Sequence, residues 1–352
     1  MSAILKEYGV FLPVANGGWI VSSATPVLDG GWPQNRDAAI AAEAAGFDFA
    51  MAMGKWRGFG GATGHWGTSL EAVTMMAGIA AVTSRIQVWA TLHAILFNPV
   101  VAAKMIATLD HLSGGRAGLN IVAGAYRGEF AQMGAWDDSL SHDGRYDLAE
   151  EWTEIVTRLW SEARVDFHGK YFNIADCVCD PKPLRRPRLI CAGMSPRGFD
   201  FSVRRTDGCF IGGRDEEETR AASLRAKDLA AKLGKPIKTY AMMTVIWDDS
   251  DAAAEARAAK YREGLDAGAV AGMLESYGLP KDGSGANAMT ARAQGAFMTQ
   301  AAIGAPATCA EKIAGFVRNC ELDGLMFIFD DYPKGLAMAG AEILPRLRSA
   351  FA

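Results

Sequence analysis

The sequence predicts a (β/α)8 TIM barrel with insertions, folded as a single domain over residues 1–352. Three observations predict it. Short apolar runs rich in β-branched and aromatic residues alternate with helical patterns eight times. Helix ends carry glycine and run straight into the next strand, as at Ser113-Gly114-Gly115-Arg116. Polar residues sit where strands end, the place where parallel α/β proteins build their chemistry. A doubly wound sheet is the alternative reading of the same alternation.

The elements follow in order. Residues 8–15 form an apolar run stopped by Asn16-Gly17-Gly18, a strand and turn. A helical pattern over 35–45 stops at Gly46, and 47–53 is the second strand. The glycine-rich stretch 54–61 is too long for a simple connection, the mark of a functional loop. A helix over 69–82 leads to strand three at 86–92, then a helix over 100–112 to strand four at 117–123. A helix-like stretch passes through Glu129 and Met133, a long amphipathic helix spans 145–160, and 165–172 reads as a hairpin turning at His168-Gly169. Strand five (189–192) ends at Ser195-Pro196, a hydroxyl cap and a proline that open a helix over 196–205. Strand six (208–211), a helix (216–233), strand seven (239–247) and a helix (252–266) continue the rhythm. Residues 268–305 break it with a Gly- and Ala-rich insertion, expected to be a lid or an oligomer contact. A helix at 309–320, strand eight at 324–329 and a last helix at 336–351 complete the count.

Composition narrows the function classes. The formal net charge is -4, which gives no basic face for nucleic acid. Apolar runs are broken by charge or glycine well short of a membrane span, and the N-terminal residues lack the pattern of a signal peptide. The six cysteines form no C-x-x-C pair and read as reduced, structural thiols in a cytoplasmic protein. No metal-ligand spacing, nucleophile elbow or Walker loop is present, and the glycines of 58–64 lack dinucleotide-binding spacing. No metal is expected.

Several polar residues stand out at strand ends. Ser195-Pro196-Arg197 offers free N–H groups, a hydroxyl and a guanidinium for an anion; the plainer reading is an ordinary capped helix. Arg145-Tyr146 could clamp a phosphate, or serve as a surface Arg and a core Tyr. Asn120 is an amide within an apolar strand and needs a partner. Thr91 resembles it on strand three. His93 follows that strand and could face a pocket, whereas His111, beside Asp110, reads as structural. Asp330-Asp331 reads as the cap of the last helix.

Taken with the ordered segments GVFLPVANGGWIVSS, FDFAMAMGKWRGFGG, MAGIAAVTSRIQVWAT, ATLDHLSGGRAGLNIVAG, FHGKYF, ICAGMSPRGFDFS and FIFDDYPKGLAMAGAEILP, the chain resembles the bacterial-luciferase-like flavin-dependent monooxygenases. It is most similar to the pyrimidine branch, which opens the uracil ring. The resemblance implies a luciferase-like barrel that takes reduced FMN and O2, with the flavin supplied by a separate NAD(P)H:flavin reductase. It implies flavin contacts at Met53, Gly54, Lys55, Asn120, Glu129, Arg145, Tyr146 and Ser195. Thr91 and Asn120 would line the oxygen pocket as the catalytic pair, stabilising charge that develops on oxygen. His93, Phe97 and Tyr126 would line the substrate pocket. The pyrimidine branch reads Thr-Gly-Trp after strand four, where this chain reads Ala123-Gly124-Ala125-Tyr126. The loop from His93 to Pro99 is also bulkier and more apolar than uracil calls for. A homodimer or homotetramer is expected. Other readings are a sulfonate or sulfone monooxygenase with a cationic pocket from Arg57, Arg197 or Arg292, a deazaflavin-dependent hydride-transfer enzyme, and a non-catalytic flavin-binding protein.

Overall fold

The structure is a computed structural model describing residues 6–124, 126–280, 283–285 and 287–352. Eight parallel strands close into a barrel: β1 (Glu7–Phe11), β2 (Phe49–Met51), β3 (Gln87–His93), β4 (Ala117–Val122), then, past the hairpin β5 (Val165–His168) and β6 (Asn173–Cys177), β7 (Arg188–Cys191), β8 (Gly208–Phe210) and β9 (Lys238–Trp247), and finally β11 (Gly324–Phe329), which pairs with both β9 and β1. The expected barrel is therefore the observed one. The ninth strand of the sheet, β10 (Gln300–Gly304), was not foreseen. It lies within the expected insertion and extends the C-terminal half of β9, from Gln300↔Met243 to Gly304↔Trp247, beyond the point where β8 ends at Phe210↔Tyr240.

The period-2 alternation of strands sorts side chains into two cores. Val88, Ala90 and Leu92 of β3 face outward into the apolar layer beneath the helices, with Leu119 and Ile121 of β4. Trp89 faces inward with Phe49, Ile190, Tyr240 and Met326. Phe49 and Trp89 stack at 3.8 Å, and Tyr240 meets both rings edge-on at 5.7 and 5.9 Å. Glycine makes room for these rings: a Cβ on Gly9 would fall inside the Phe49 ring, and one on Gly118 inside the Trp89 indole. The same alternation turns Thr91, His93 and Asn120 inward, one or two layers above Trp89, at the C-terminal mouth.

Helices cover the barrel: α1 (Trp32–Ala45), α2 (Ala72–Val82), α3 (Pro99–Ser113), the short α4 (Arg127–Ala131), α5 (His142–Ser161), α6 (Pro196–Arg205), α7 (Glu216–Lys232) and α8 (Asp251–Glu263). In the insertion lie α9 (Ala267–Ser276) and α10 (Ala288–Ala293); Lys281, Asp282 and Ala286 of this segment lie outside the described residues. α11 (Pro306–Asn319), α12 (Tyr332–Met338) and α13 (Leu344–Ala350) end the chain. The expected last helix is broken by a π turn at Ala339–Ile343, because Pro345 cannot supply the N–H that an unbroken α-helix needs. All six cysteines are free, and five are buried.

Candidate active site

Strand ends β2, β3 and β4 build one wall of the mouth. Thr91 and Asn120 are register partners on adjacent strands. The Thr91 hydroxyl donates to the Ala52 carbonyl oxygen at 2.7 Å, and Asn120 Nδ2 donates to Thr91 Oγ1 at 3.1 Å. This relay fixes the amide and leaves Asn120 Oδ1 buried without a partner among the described residues. A buried acceptor left unmade costs about 1–3 kcal/mol unless something supplies a donor.

Past β2, the chain enters the glycine-rich loop. Lys55 Nζ lies 3.2 Å from Glu129 Oε2 of α4, both side chains less than a tenth exposed. The other Glu129 oxygen accepts from the Trp56 backbone N–H at 2.5 Å. Aromatic rings enclose the ammonium: Phe59 at 4.6 Å, Tyr126 at 4.9 Å and Trp66 at 5.7 Å. Burial lowers the Lys55 pKa, and the Glu129 carboxylate opposes that shift. The pair thus brings the loop after β2 and the loop after β4 together with no net charge.

His93 is buried at the end of β3. Its ring meets Phe130 edge-on at 5.0 Å, and Nδ1 has no partner among the described residues. Burial first, then the Lys55 charge, push the imidazole down to about 3, so it is neutral at ordinary pH. Phe97, one turn on, donates its N–H to the His93 carbonyl at 3.2 Å and packs its ring 6.3 Å from Trp56. Tyr126 caps the N-terminus of α4. Ala125, part of the expected departure after strand four, lies outside the described residues.

A second cluster lies at the N-terminus of α6. Ser195 caps the helix, accepting from the Gly198 N–H at 3.1 Å. The Tyr146 phenol of α5 sits beside it, pushed up to about 12, chiefly by burial. A Cβ on Gly193 would fall 2.7 Å from the Gly198 carbonyl and 2.9 Å from Tyr146 Oη, so glycine keeps this niche open. Arg145 braces the loop after β4: Nε donates to the Gly124 carbonyl at 2.9 Å and Nη1 to the Leu140 carbonyl at 3.2 Å, with Trp136 stacked at 4.7 Å. Met53 packs between the two cores at the mouth.

Two expectations for arginine are corrected. Arg197 does not join the anion niche, because Asp147 at 2.9 Å and Glu150 at 3.1 Å on α5 already neutralise it. Arg292 is held by the Gly213 and Arg214 carbonyls, and Arg57 is exposed. Asp331 does cap α12, accepting from the Lys334 N–H at 3.1 Å, while Asp330 accepts from the Tyr261 hydroxyl at 2.7 Å. Among the described residues, no group of three or more His, Cys, Asp or Glu side chains could hold a metal ion. Nor is any described helix long and apolar enough to cross a membrane.

Sequence reasoning missed three residues of the mouth. Trp56 carries a buried indole N–H with no partner among the described residues. Trp66 closes the cage around Lys55. Tyr277, at the end of α9, is buried, and burial first, then the Glu129 charge, push its phenol up to about 12. Trp56 lay within a loop already marked as functional and Tyr277 within the insertion expected to be a lid or an oligomer contact, but nothing in either segment singled out the residue.

The barrel with its polar C-terminal mouth is the architecture of an α/β enzyme. The family model for luciferase-like monooxygenases matches residues 6–320, and the chain belongs to that family. Among its relatives, the pyrimidine monooxygenase RutA of Variovorax paradoxus (strain S110) is 36% identical over 351 residues, covering 97% of this chain and 94% of that protein. The long-chain alkane monooxygenase LadA shares the fold with a TM-score of 0.84 at 19% identity, over 98% of this chain and 91% of that one. Riboflavin lyase RcaE, solved with modified FMN and riboflavin, superposes with a TM-score of 0.83 at 20% identity, over 98% and 92%. The protein is thus an enzyme of the monooxygenase class, related at the sequence level to pyrimidine monooxygenases.

Proposed function

We propose that this protein is a two-component, FMN-dependent monooxygenase that uses O2 to cleave a small heterocycle of the pyrimidine or cyclic-amide type. The observation that carries the reading is the fixed Asn120 amide, whose buried Oδ1 lacks a partner among the described residues at the mouth of a luciferase-like barrel. A flavin ring edge carries N–H donors that suit it. The niche kept open by Gly193, beside the Ser195 and Tyr146 hydroxyls and the N-terminus of α6, suits a phosphate. The structure of RcaE with modified FMN shows this fold holding a flavin. Met53, Gly54, Lys55, Glu129 and Arg145 would complete the binding surface.

When bound, reduced FMN supplies the electrons that activate O2. The protein's residues do the rest. Thr91 spends its proton on the Ala52 carbonyl, so its oxygen orients Asn120, and the second Nδ2 hydrogen of Asn120 can reach developing negative charge. The Lys55–Glu129 pair holds two loops together, and Phe59, Trp66 and Tyr126 keep water out. His93, Phe97 and Tyr126 would face the substrate. A separate NAD(P)H:flavin reductase would supply the flavin in the cytoplasm, and the protein would act as a homodimer or homotetramer. The insertion at 268–305 would serve as a lid, since Gly272 of α9 packs against Phe59 of the loop that carries Lys55.

The sulfonate reading is weakened at Arg197, which Asp147 and Glu150 neutralise. The test is turnover with FMN, a flavin reductase, NAD(P)H and uracil under labelled O2. The expected result is a ring-opened product carrying one labelled oxygen atom. No oxygen-dependent loss of uracil, or of any related cyclic amide, would contradict the proposal.

A further inference from the structure

One histidine is buried in the mouth with a polar atom that no described residue satisfies. His93 is 5% exposed, faces inward from the top of β3, and leaves Nδ1 without a partner among the described residues. Its place is prepared on two sides. Phe130 meets the ring edge-on. On the other side only glycine fits, because a Cβ on Gly54 would lie 2.8 Å from His93 Cε1 and 3.2 Å from Nδ1. The indole N–H of Trp56 is a second buried donor without a partner among the described residues. The two residues share one wall: Trp56 packs on Phe97, whose N–H donates to the His93 carbonyl. The nearby Lys55 charge is already matched by Glu129.

We infer that His93 is the residue that determines substrate specificity, reading the amide edge of a neutral cyclic substrate with its ring nitrogen while the Trp56 indole donates to a carbonyl. The inference rests on the monooxygenase reading above and adds to it the residues that choose the substrate. The chemistry of the wall selects the class. An uncharged imidazole, an indole N–H and a neutralised Lys–Glu pair offer hydrogen bonds without net charge. A ring bearing C=O and N–H groups would satisfy both orphan atoms, whereas a sulfonate or carboxylate would meet a Lys55 charge already matched by Glu129. An apolar ring of the same size would leave both atoms unmet, and such sites discriminate strongly against ligands that lack the matching polar group.

The test begins with an anaerobic titration of the wild-type protein with reduced FMN. The loaded protein is then titrated with uracil, hydantoin and 2-pyridone, and the same is done with His93→Leu and His93→Asn. At least one amide should bind the wild-type protein. His93→Leu should weaken that amide about 30-fold while FMN affinity stays within about twofold, and His93→Asn should recover part of the loss. On the wild-type protein itself, the His93 ring nitrogens should shift in 15N spectra when the amide is added, a readout that survives even if a variant fails to fold. Undiminished amide binding by His93→Leu, unmoved His93 nitrogens, or no amide binding to FMN-loaded protein would each overturn the inference. Failure of the wild-type protein to bind reduced FMN would fell the flavin reading as well, and is recognised separately because it is measured before any amide is added.

Discussion

At the scale of the residue, the site depends on a few buried polar atoms whose partners are fixed or missing. Asn120 gains its orientation from Thr91, and Thr91 from the Ala52 carbonyl. Asn120→Ala should therefore reduce turnover at least about 100-fold while FMN binding weakens only modestly, measured as kcat beside the flavin Kd. Full activity in that variant, or its failure to fold, would remove Asn120 from the mechanism. Two buried histidines link the site to acid stability. Burial pushes His65 down to about 4, against the pull of Asp266, and His93 to about 3, from an ordinary value of 6.5. The unfolded chain binds these protons more readily than the folded one, so stability is fully present above pH 6.5 and falls as the pH drops towards the folded values. Between pH 6.5 and 5, each should cost roughly 2 kcal/mol, read from denaturant unfolding as a function of pH. His93→Leu should remove one proton from that slope, and an unchanged slope would show that His93 titrates normally. Sequence pattern located Thr91, His93 and Asn120, because period-2 alternation and strand ends are local features. It could not show that Arg197 is neutralised, because Asp147 and Glu150 lie on another helix and reach it only through packing of α5 on α6.

At the scale of the element, the glycine-rich loop and the insertion act as one unit. Asp266 accepts from the Thr63 N–H at 2.7 Å, the Thr63 hydroxyl at 2.8 Å and the Ala269 N–H at 3.0 Å, so one carboxylate both caps α9 and holds the loop. Gly272 of α9 lies against Phe59, whose carbonyl oxygen occupies the place of its missing Cβ. Asp266→Ala should cost about 1–3 kcal/mol and speed proteolysis within the loop at 54–67, and Gly272→Ala should act in the same direction. Unchanged proteolysis in both variants would show that loop and insertion are independent. The sequence marked both segments as irregular but not their contact, since the loop and α9 are some two hundred residues apart. It also missed β10, because a five-residue run of Gln, Ala, Ile and Gly carries little strand signal until β9 offers its free edge. Pro345 was visible, yet its effect on the last helix required knowing that a π turn could absorb it.

At the scale of the whole molecule, the two ends of the barrel differ in kind. At the N-terminal floor, Glu7 is saturated: Arg188 Nη1 donates at 2.6 Å, the Tyr240 hydroxyl at 2.5 Å, and Lys238 pairs with its other oxygen. These bonds hold the carboxyl below its ordinary value despite burial. At the C-terminal mouth, Asn120, His93 and Trp56 keep atoms without a partner among the described residues. A saturated carboxylate at the floor and several unpaired polar atoms at the mouth fit a floor that supports the fold and a mouth that binds a ligand. The central claim is that this open end holds reduced flavin and directs O2 to a cyclic amide. The most direct measurement is stopped-flow mixing of protein loaded anaerobically with reduced FMN against oxygenated buffer, with and without uracil. A transient flavin–oxygen absorbance should form, and its decay should change when uracil is present. Direct reoxidation at the rate of free FMN, with or without uracil, would contradict it.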